Sequence, residues 1–294
     1  EGTAARAMAL NAAGTLASEQ GDYGQAAAFY DAGLALYRAL GDTRGTARLL
    51  INQGTVMKYQ GEAARASDLY EAGVHLAREL EDPSLLAIAL NNVGTLAIEQ
   101  QNTEYAAVVL EESVALKRQS GTPSSLIFAL INLGEVARSR DDFTRATDCY
   151  EEALVLSHAL GDRSHVALLH YNLGLVARAQ NNNGRAVTEF CQSLVEEHDL
   201  GNKRQIAANI EGLAGVAACS GQFEQASRLF GAAEHLREQI GAPVPAADRA
   251  GYDRDIAQAR SSLTPARAAA VWSQGRATAP ETAIAEALAV RVAA

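Results

Sequence analysis

The feature that most constrains this chain is a sequence repeat of 40 residues. Written in rows of that length, the chain holds a glycine at the same place in five consecutive rows and an alanine in the sixth: Gly14, Gly54, Gly94, Gly134, Gly174 and Ala214. Another column is alanine in every row, and four residues further on stand Tyr30, Tyr70, Leu110, Tyr150, Phe190 and Phe230. Self-similarity at a fixed period predicts a stack of like supersecondary structures. We therefore expect six tandem repeats over residues 1–241.

Each repeat is predicted to be a pair of helices. In the fourth repeat, Leu130, Leu133 and Ala137 follow one another at three- and four-residue spacing, which is the helical period. Periodic breaks such as Gly41-Asp42 separate these stretches; glycine suits the left-handed position after a helix, and aspartate caps the next one. Aromatic residues make up only 5% of the chain, which also favours helices over strands.

The recurring side chains resemble the tetratricopeptide repeat. With the repeated glycine numbered as position 8, the order is Leu at 4, Gly at 8, Ala at 20, Tyr or Phe at 24 and a small residue at 27. HEAT and armadillo arrays have similar periods but do not require this order. The repeat departs from the family in its length of 40 residues, where about 34 is usual, and in lacking the family's proline at position 32.

This longer repeat resembles the sensor regions of large bacterial regulators, namely MalT-like and LuxR-type proteins and other STAND-class ATPases. The resemblance implies an all-α fold, a right-handed α-solenoid of six helix pairs followed by C-terminal capping helices. In such regulators an ATPase domain often precedes the repeats, and a DNA-binding helix-turn-helix follows them in some. The chain does not begin with methionine, which predicts that it is a fragment of a larger protein.

The residues after 241 no longer follow the period. They predict three more helices, Ala246–Ser261, Pro265–Gly275 and Pro280–Val290, each introduced by a turn that contains proline. A solenoid needs its last open face covered. We therefore expect two parts, the repeats over 1–241 and a helical cap over 242–294. The stretch around Trp272 resembles the segment that closes the repeats in the bacterial regulators.

Composition and motifs argue against several function classes. Acidic residues outnumber basic residues 35 to 25, whereas direct nucleic-acid binding needs clustered Lys and Arg. No apolar run approaches the ~20 residues of a membrane span. Three cysteines without CxxC spacing indicate neither disulfides nor zinc and favour a cytoplasmic location. Phosphate-loop, HExxH and GxSxG motifs are missing from the sequence, so we expect no enzyme, cofactor or metal site.

One column is hard to assign to packing alone. Asparagine stands at position 6 of four consecutive first helices, as Asn52, Asn92, Asn132 and Asn172, where it costs up to ~0.7 kcal/mol relative to alanine. In tetratricopeptide repeats this position lines the concave groove, and asparagine there resembles the residues that clamp the backbone of a bound peptide. An amide offers both a donor and an acceptor for that purpose. The alternative is that the asparagines bond to one another or to adjacent helices.

The neighbours of this column suggest what the groove would hold. Apolar residues occupy positions 2 and 5 and basic residues occupy position 12: Ile88, Phe128, Leu168, Ile51, Ile131, Tyr171, Lys58, Arg138 and Arg178. An apolar floor with a basic margin suits a partly hydrophobic peptide that carries an acidic group or a free carboxylate. The alternative is that the apolar residues pack against neighbouring first helices.

Three functions remain open from the sequence. The leading one is a protein- or peptide-binding domain that serves as the sensor or partner-binding arm of a bacterial signalling or transcription regulator. The second is a MalT-like sensor of a small molecule, which a closed pocket of polar and aromatic residues would favour. The third is a passive scaffold for self-association, which would be favoured if the protein's own tail fills the groove.

Overall fold

The computed structural model describes residues 2–245 and 249–291. Those residues form fifteen α-helices and no strand. Twelve helices make six consecutive pairs: α1 (Gly2–Glu19) and α2 (Tyr23–Leu40), α3 (Thr43–Tyr59) and α4 (Ala63–Glu79), α5 (Pro83–Glu99) and α6 (Thr103–Ser120), α7 (Pro123–Ser139) and α8 (Phe143–Leu160), α9 (Arg163–Ala179) and α10 (Asn183–Leu200), α11 (Lys203–Cys219) and α12 (Phe223–Ile240). The predicted all-α fold of six helix pairs is confirmed.

Three helices follow the pairs: α13 (Arg249–Ser261), α14 (Pro265–Arg276) and α15 (Pro280–Leu288). The last two match their predicted spans to within two residues at their C-terminal ends. The predicted start of α13 at Ala246 lies outside the described residues.

The turns between helices are set by the residues that recur there. The side chain of Asp42 accepts a hydrogen bond from the backbone N–H of Gly45 at 2.8 Å and so caps α3. The preceding Gly41 has φ +67°, the left-handed conformation that glycine adopts without strain. Pro83 and Pro123 stand in the first turns of α5 and α7, where a missing N–H costs no helical bond.

The recurring glycines lie where the two helices of a pair approach most closely. A Cβ on Gly54 would be 2.7 Å from ring carbons of Tyr70, and a Cβ on Gly174 would be 2.7 Å from ring carbons of Phe190. Both rings are almost fully buried. The cost of about 1 kcal/mol for glycine within a helix is therefore offset by the packing of a large side chain against it.

Contacts divide the chain into two compact units, Glu1–Cys149 and Tyr150–Ala294, here called the N-terminal and C-terminal units. The N-terminal unit has a core around Tyr30, Tyr70 and Leu90. The C-terminal unit has a core around Phe190 and Phe230. The separate division into repeats over 1–241 and a cap over 242–294 stays a prediction.

In the C-terminal unit, α14 is fixed firmly to α12. The Arg276 guanidinium contacts the carboxylates of Glu234 and Glu238 at 2.6 Å each, and the Trp272 indole N–H donates to Glu234 at 2.8 Å. A Cβ on Gly231 would collide with the backbone carbonyl of Trp272. The two helices therefore cross with their backbones nearly touching.

Two kinds of feature are not found in residues 2–245 and 249–291. No helix there combines the length and the apolar character needed to cross a membrane. No group of three or more His, Cys, Asp or Glu side chains there is arranged to hold a metal ion.

Candidate functional site

The candidate site lies on the first helices of the repeats, on the side that carries positions 2, 6, 9 and 13, here called the first-helix face. In the N-terminal unit, Ile88 and Phe128 stand at position 2 of α5 and α7 and are 46% and 53% exposed. Met8 at position 2 of α1 is also exposed. Ile131 is half-buried, whereas Ile51 is fully buried and belongs to the core. Large apolar side chains left in solvent on one face are typical of interaction surfaces.

The asparagine column follows this face, and all four members are half-buried. Two of them bond to the preceding first helix. The Asn52 amide donates to the side-chain oxygen of Asn11 at 2.9 Å, and the Asn132 amide donates to that of Asn91 at 3.1 Å. For these two asparagines the structure thus provides the inter-helix bonds that the alternative interpretation expects.

The other two asparagines differ. Among the described residues, the side-chain amides of Asn92 and Asn172 have no hydrogen-bond partner. The nearby Thr95 hydroxyl donates to the backbone carbonyl of Asn92, at 2.9 Å. A half-buried amide with an unused donor and acceptor keeps the capacity to bind a peptide backbone. The column therefore contains one pair of asparagines engaged between helices and one pair that is not.

The basic residues at position 12 occupy three different environments. Lys58 forms an ion pair with Glu99 at 3.0 Å, across adjacent first helices. Arg178 donates to the carboxylate of Asp255 on α13 at 2.5 Å. The Nε of Arg138 is buried, and it has no partner among the described residues. A buried donor without a partner costs roughly 1–3 kcal/mol.

Two buried tyrosines extend to the first-helix face from the second helices. The Tyr70 hydroxyl donates to Thr55 at 3.1 Å, and the Tyr30 hydroxyl lies 3.3 Å from that of Thr15. Burial raises the pKa of Tyr70 to about 12. Both threonines stand at position 9, so hydrogen bonds from the buried tyrosines hold threonine side chains of the first-helix face in place. The pairing of position 24 with position 9 was not predicted from the sequence.

In the C-terminal unit, the same face is partly covered. Leu168 is half-buried, and the Tyr171 ring lies 5.7 Å from that of Phe190, centroid to centroid. Helix α11 is buried on nearly all sides, including Ala208 at position 2. Helix α13 packs on α11 and contributes Asp255. The tail therefore covers the first-helix face of the sixth pair.

Sequence reasoning missed this contact, although the repeat rows hold a signal for it. In the sixth row, position 2 is Ala208 and position 9 is Gly215, where earlier rows carry larger residues. A Cβ on Gly215 would lie 2.5 Å from the Arg178 guanidinium and 3.0 Å from the Asp255 carboxylate. The loss of side-chain volume in that row makes room for the ion pair.

A second surface feature lies on the other side of the N-terminal unit. A cleft of about 400 Å³ separates α4 from α6, with Val74, Tyr105 and Val108 among its lining residues. The ion pair between Arg78 and Glu112, at 3.0 Å, also borders it. In the other rows, the residue aligned with Tyr105 is always Arg or Gln, so the exchange was visible in the sequence. This cleft contains none of the predicted site residues.

Comparison with known proteins agrees with the fold of paired helices. Residues 125–194 match the family model described as the tetratricopeptide repeat. This segment lies within the fourth and fifth helix pairs. It includes the predicted site residues of α7 and α9, among them Phe128, Arg138 and Arg178. No curated protein sequence matches the chain.

Solved structures extend the tetratricopeptide-repeat fold to the rest of the chain. A STAND protein with a tetratricopeptide repeat sensor from Pyrococcus horikoshii is similar with a TM-score of 0.74 and 12% identity, over 96% of this chain and 43% of that one. Aspartyl phosphate phosphatase F from Bacillus subtilis has a TM-score of 0.66 and 14% identity, over 91% of this chain and 69% of that one. A Rap protein complexed with competence and sporulation factor has a TM-score of 0.58 and 11% identity, over 91% of this chain and 76% of that one. At such low sequence identities, the TM-scores show that the fold is shared.

Proposed function

We propose that this chain binds a protein or peptide partner on its first-helix face and serves as the sensor or partner-binding arm of a larger bacterial signalling or transcription regulator. In this proposal the domain acts in the cytoplasm by binding, without catalysis, a cofactor or direct contact with nucleic acid. The similar folds of a STAND protein's sensor and of a Rap protein crystallised with a factor support the assignment.

The observation that carries the proposal is the exposed apolar surface of α5 and α7. Ile88 and Phe128 are about half exposed and stand on the same face as half-buried asparagines, and Arg138 on α7 has a buried donor without a partner. Apolar contacts supply affinity, amides bind the backbone, and a guanidinium selects a carboxylate. The predicted ligand is a partly hydrophobic peptide with an acidic group.

Asn92 and Asn132 of the N-terminal unit allow a sharp experiment, because they are the same residue at the same position and differ in whether the side-chain amide is bonded. Peptides would first be selected on the wild-type chain from a displayed random library. The Asn92→Ala variant should then bind the selected peptide more weakly by about 0.5–1.5 kcal/mol, since one neutral hydrogen bond is lost. Its melting temperature should be unchanged or higher, because alanine is the better helix former.

The matched control is Asn132→Ala, which removes an inter-helix bond. This variant should lower the melting temperature more than Asn92→Ala does. Unchanged peptide affinity in the Asn92→Ala variant would contradict a backbone clamp at this position.

A passive scaffold is the second candidate, and the coverage of α11 by α13 favours it for that part of the face. It predicts that no selected peptide depends on Ile88 or Phe128. Sedimentation of the chain over a range of concentrations would then show self-association.

A further inference from the structure

Helix α13 contacts the repeats as a bound amphipathic helix would. Its inward residues are Tyr252, Asp255, Ile256 and Ala259, at the i, i+3, i+4 and i+7 spacing of a helix that lies in a groove. The Tyr252 ring meets the Phe230 ring edge-on at 5.6 Å. Most of the remaining side chains of α13 are exposed.

The centre of this contact is an ion pair seated over a glycine. Arg178 of α9 donates to Asp255, whose side chain is only 12% exposed. Gly215 of α11 lies directly beneath the pair. Loss of either partner of a charge pair removed from water is costly, because the remaining charge is left buried without compensation. Arg178 therefore contributes to the position of α13, together with the Ser227 hydroxyl of α12, which donates to the Ala259 carbonyl at 3.4 Å, and the contact between the Tyr252 and Phe230 rings.

The neighbouring tail helices are held by other means. Helix α14 is tied to α12 by the ion pairs of Arg276 and Arg267 and by the backbone crossing at Gly231. Helix α15 is tied to α12 through Arg228 and Glu286 at 2.7 Å. Among the described residues, Arg178–Asp255 is the one ion pair between α13 and the repeats. Release of α13 would thus leave the attachments of α14 and α15 in place.

We propose that α13 is an in-chain occupant of the first-helix face, and that a partner helix with the same stripe of side chains displaces it. That partner carries an aromatic or aliphatic residue, followed three residues later by a carboxylate and four and seven residues later by apolar residues. Its carboxylate takes the place of Asp255 as the partner of Arg178. This inference rests on the proposed function and specifies the partner as an amphipathic helix with one carboxylate on its apolar face.

The experiment uses a fluorescein-labelled synthetic peptide with the sequence of Arg249–Ser261, added to the full chain. In the wild type, α13 competes with the peptide. In an Asp255→Asn chain the helix is released, so the apparent Kd for the peptide should fall by about tenfold or more, because the competent state is more populated. The matched control is Asp253→Asn on the exposed side of α13, which should bind like the wild type.

Two further variants test the assigned contact. A peptide with asparagine in place of Asp255 should bind the Asp255→Asn chain about tenfold more weakly than the parent peptide. Adding Arg178→Ala to the chain should abolish the preference for the parent peptide. If the two chain variants bind the parent peptide alike, or if the peptide's carboxylate has no effect, the displacement proposal is wrong.

Hydrogen exchange on the wild-type chain keeps the proposal testable even if Asp255→Asn unfolds. Amides of α13 should exchange at least about tenfold faster than those of α14, through local opening. Equal protection of the two helices would overturn the proposal. Failure of the proposed function gives a separate result, in which selected peptides ignore Ile88, Phe128 and Asn92 while the α13 peptide still binds through Arg178.

Discussion

The Tyr70 ring packs against Gly54, with two ring carbons 2.7 Å from the point that a Cβ on that glycine would occupy. The contact joins the two helices of the second pair, and the Tyr70 hydroxyl continues to Thr55 at 3.1 Å. The equivalent glycine in the fifth pair meets Phe190 in the same way. A glycine and an aromatic residue sixteen positions later therefore form the basic contact of the repeat.

The first prediction concerns this contact. Gly54→Ala should lower the free energy of unfolding by about 1–3 kcal/mol, because the added methyl group overpacks against a buried ring. The control is Gly24→Ala on α2, where a Cβ would meet no atom closer than 3.8 Å; this change should stabilise by about 0.4–1 kcal/mol. Urea unfolding measures both. Equal stability of the two variants would refute the packing role of the glycine column.

The second prediction concerns the turns between repeats. Glu81 has φ +50°, in the place where Gly41 and Gly161 have φ +67°. Left-handed backbone costs a non-glycine residue roughly 1–2 kcal/mol, so Glu81→Gly should raise the melting temperature. The reverse change, Gly161→Glu, should lower it. A lower melting temperature for Glu81→Gly would show that the Glu81 side chain contributes more than the backbone strain removes.

The third prediction concerns pH. Lys117 at the end of α6 is 6% exposed and donates to the Ser125 carbonyl at 3.0 Å. Burial lowers its pKa from 10.5 to about 8. The unfolded chain therefore binds more protons than the folded chain between pH 8 and 10.5, so the contribution of Lys117 to stability rises with pH across that window. Below pH 8, Lys117 is charged in both the folded and the unfolded chain, so the full cost of burying that charge is subtracted from the free energy of unfolding.

The measurement compares Lys117→Met with the wild type by thermal unfolding at several pH values. The wild type should gain stability relative to the variant as pH rises from 8 to 10.5. The exposed Lys203 provides the control, since Lys203→Met should show no such trend. A constant difference between Lys117→Met and wild type would contradict the burial of a charged amine.

The sequence was sufficient to predict the helix pairs because their contacts are local and periodic. Gly54 and Tyr70 are sixteen residues apart, and the same spacing recurs along the chain. The asparagine column was visible in the same register. The inter-helix bond from Asn132 to Asn91 was not, because it depends on how successive repeats are rotated against each other.

The position of α13 could not be predicted for a different reason. Arg178 and Asp255 are 77 residues apart, and Asp255 lies in a segment that has no periodic relation to the repeats. The tail was expected to cap the last repeat, and the smaller side chains at Ala208 and Gly215 indicated where on α11 it would lie. Charge pairing between a repeat and a non-repeating tail has no signature in one sequence.

The central claim is that a partner binds on the exposed part of the first-helix face. The most direct test is the Kd of a peptide selected on the wild-type chain, measured with Phe128→Glu and with Val155→Glu, which changes an apolar residue on a second helix that is even more exposed than Phe128. Phe128→Glu should weaken binding about tenfold or more, as expected for an apolar anchor, and Val155→Glu should leave the Kd within about twofold. Loss of binding in Val155→Glu with full affinity in Phe128→Glu would contradict the account.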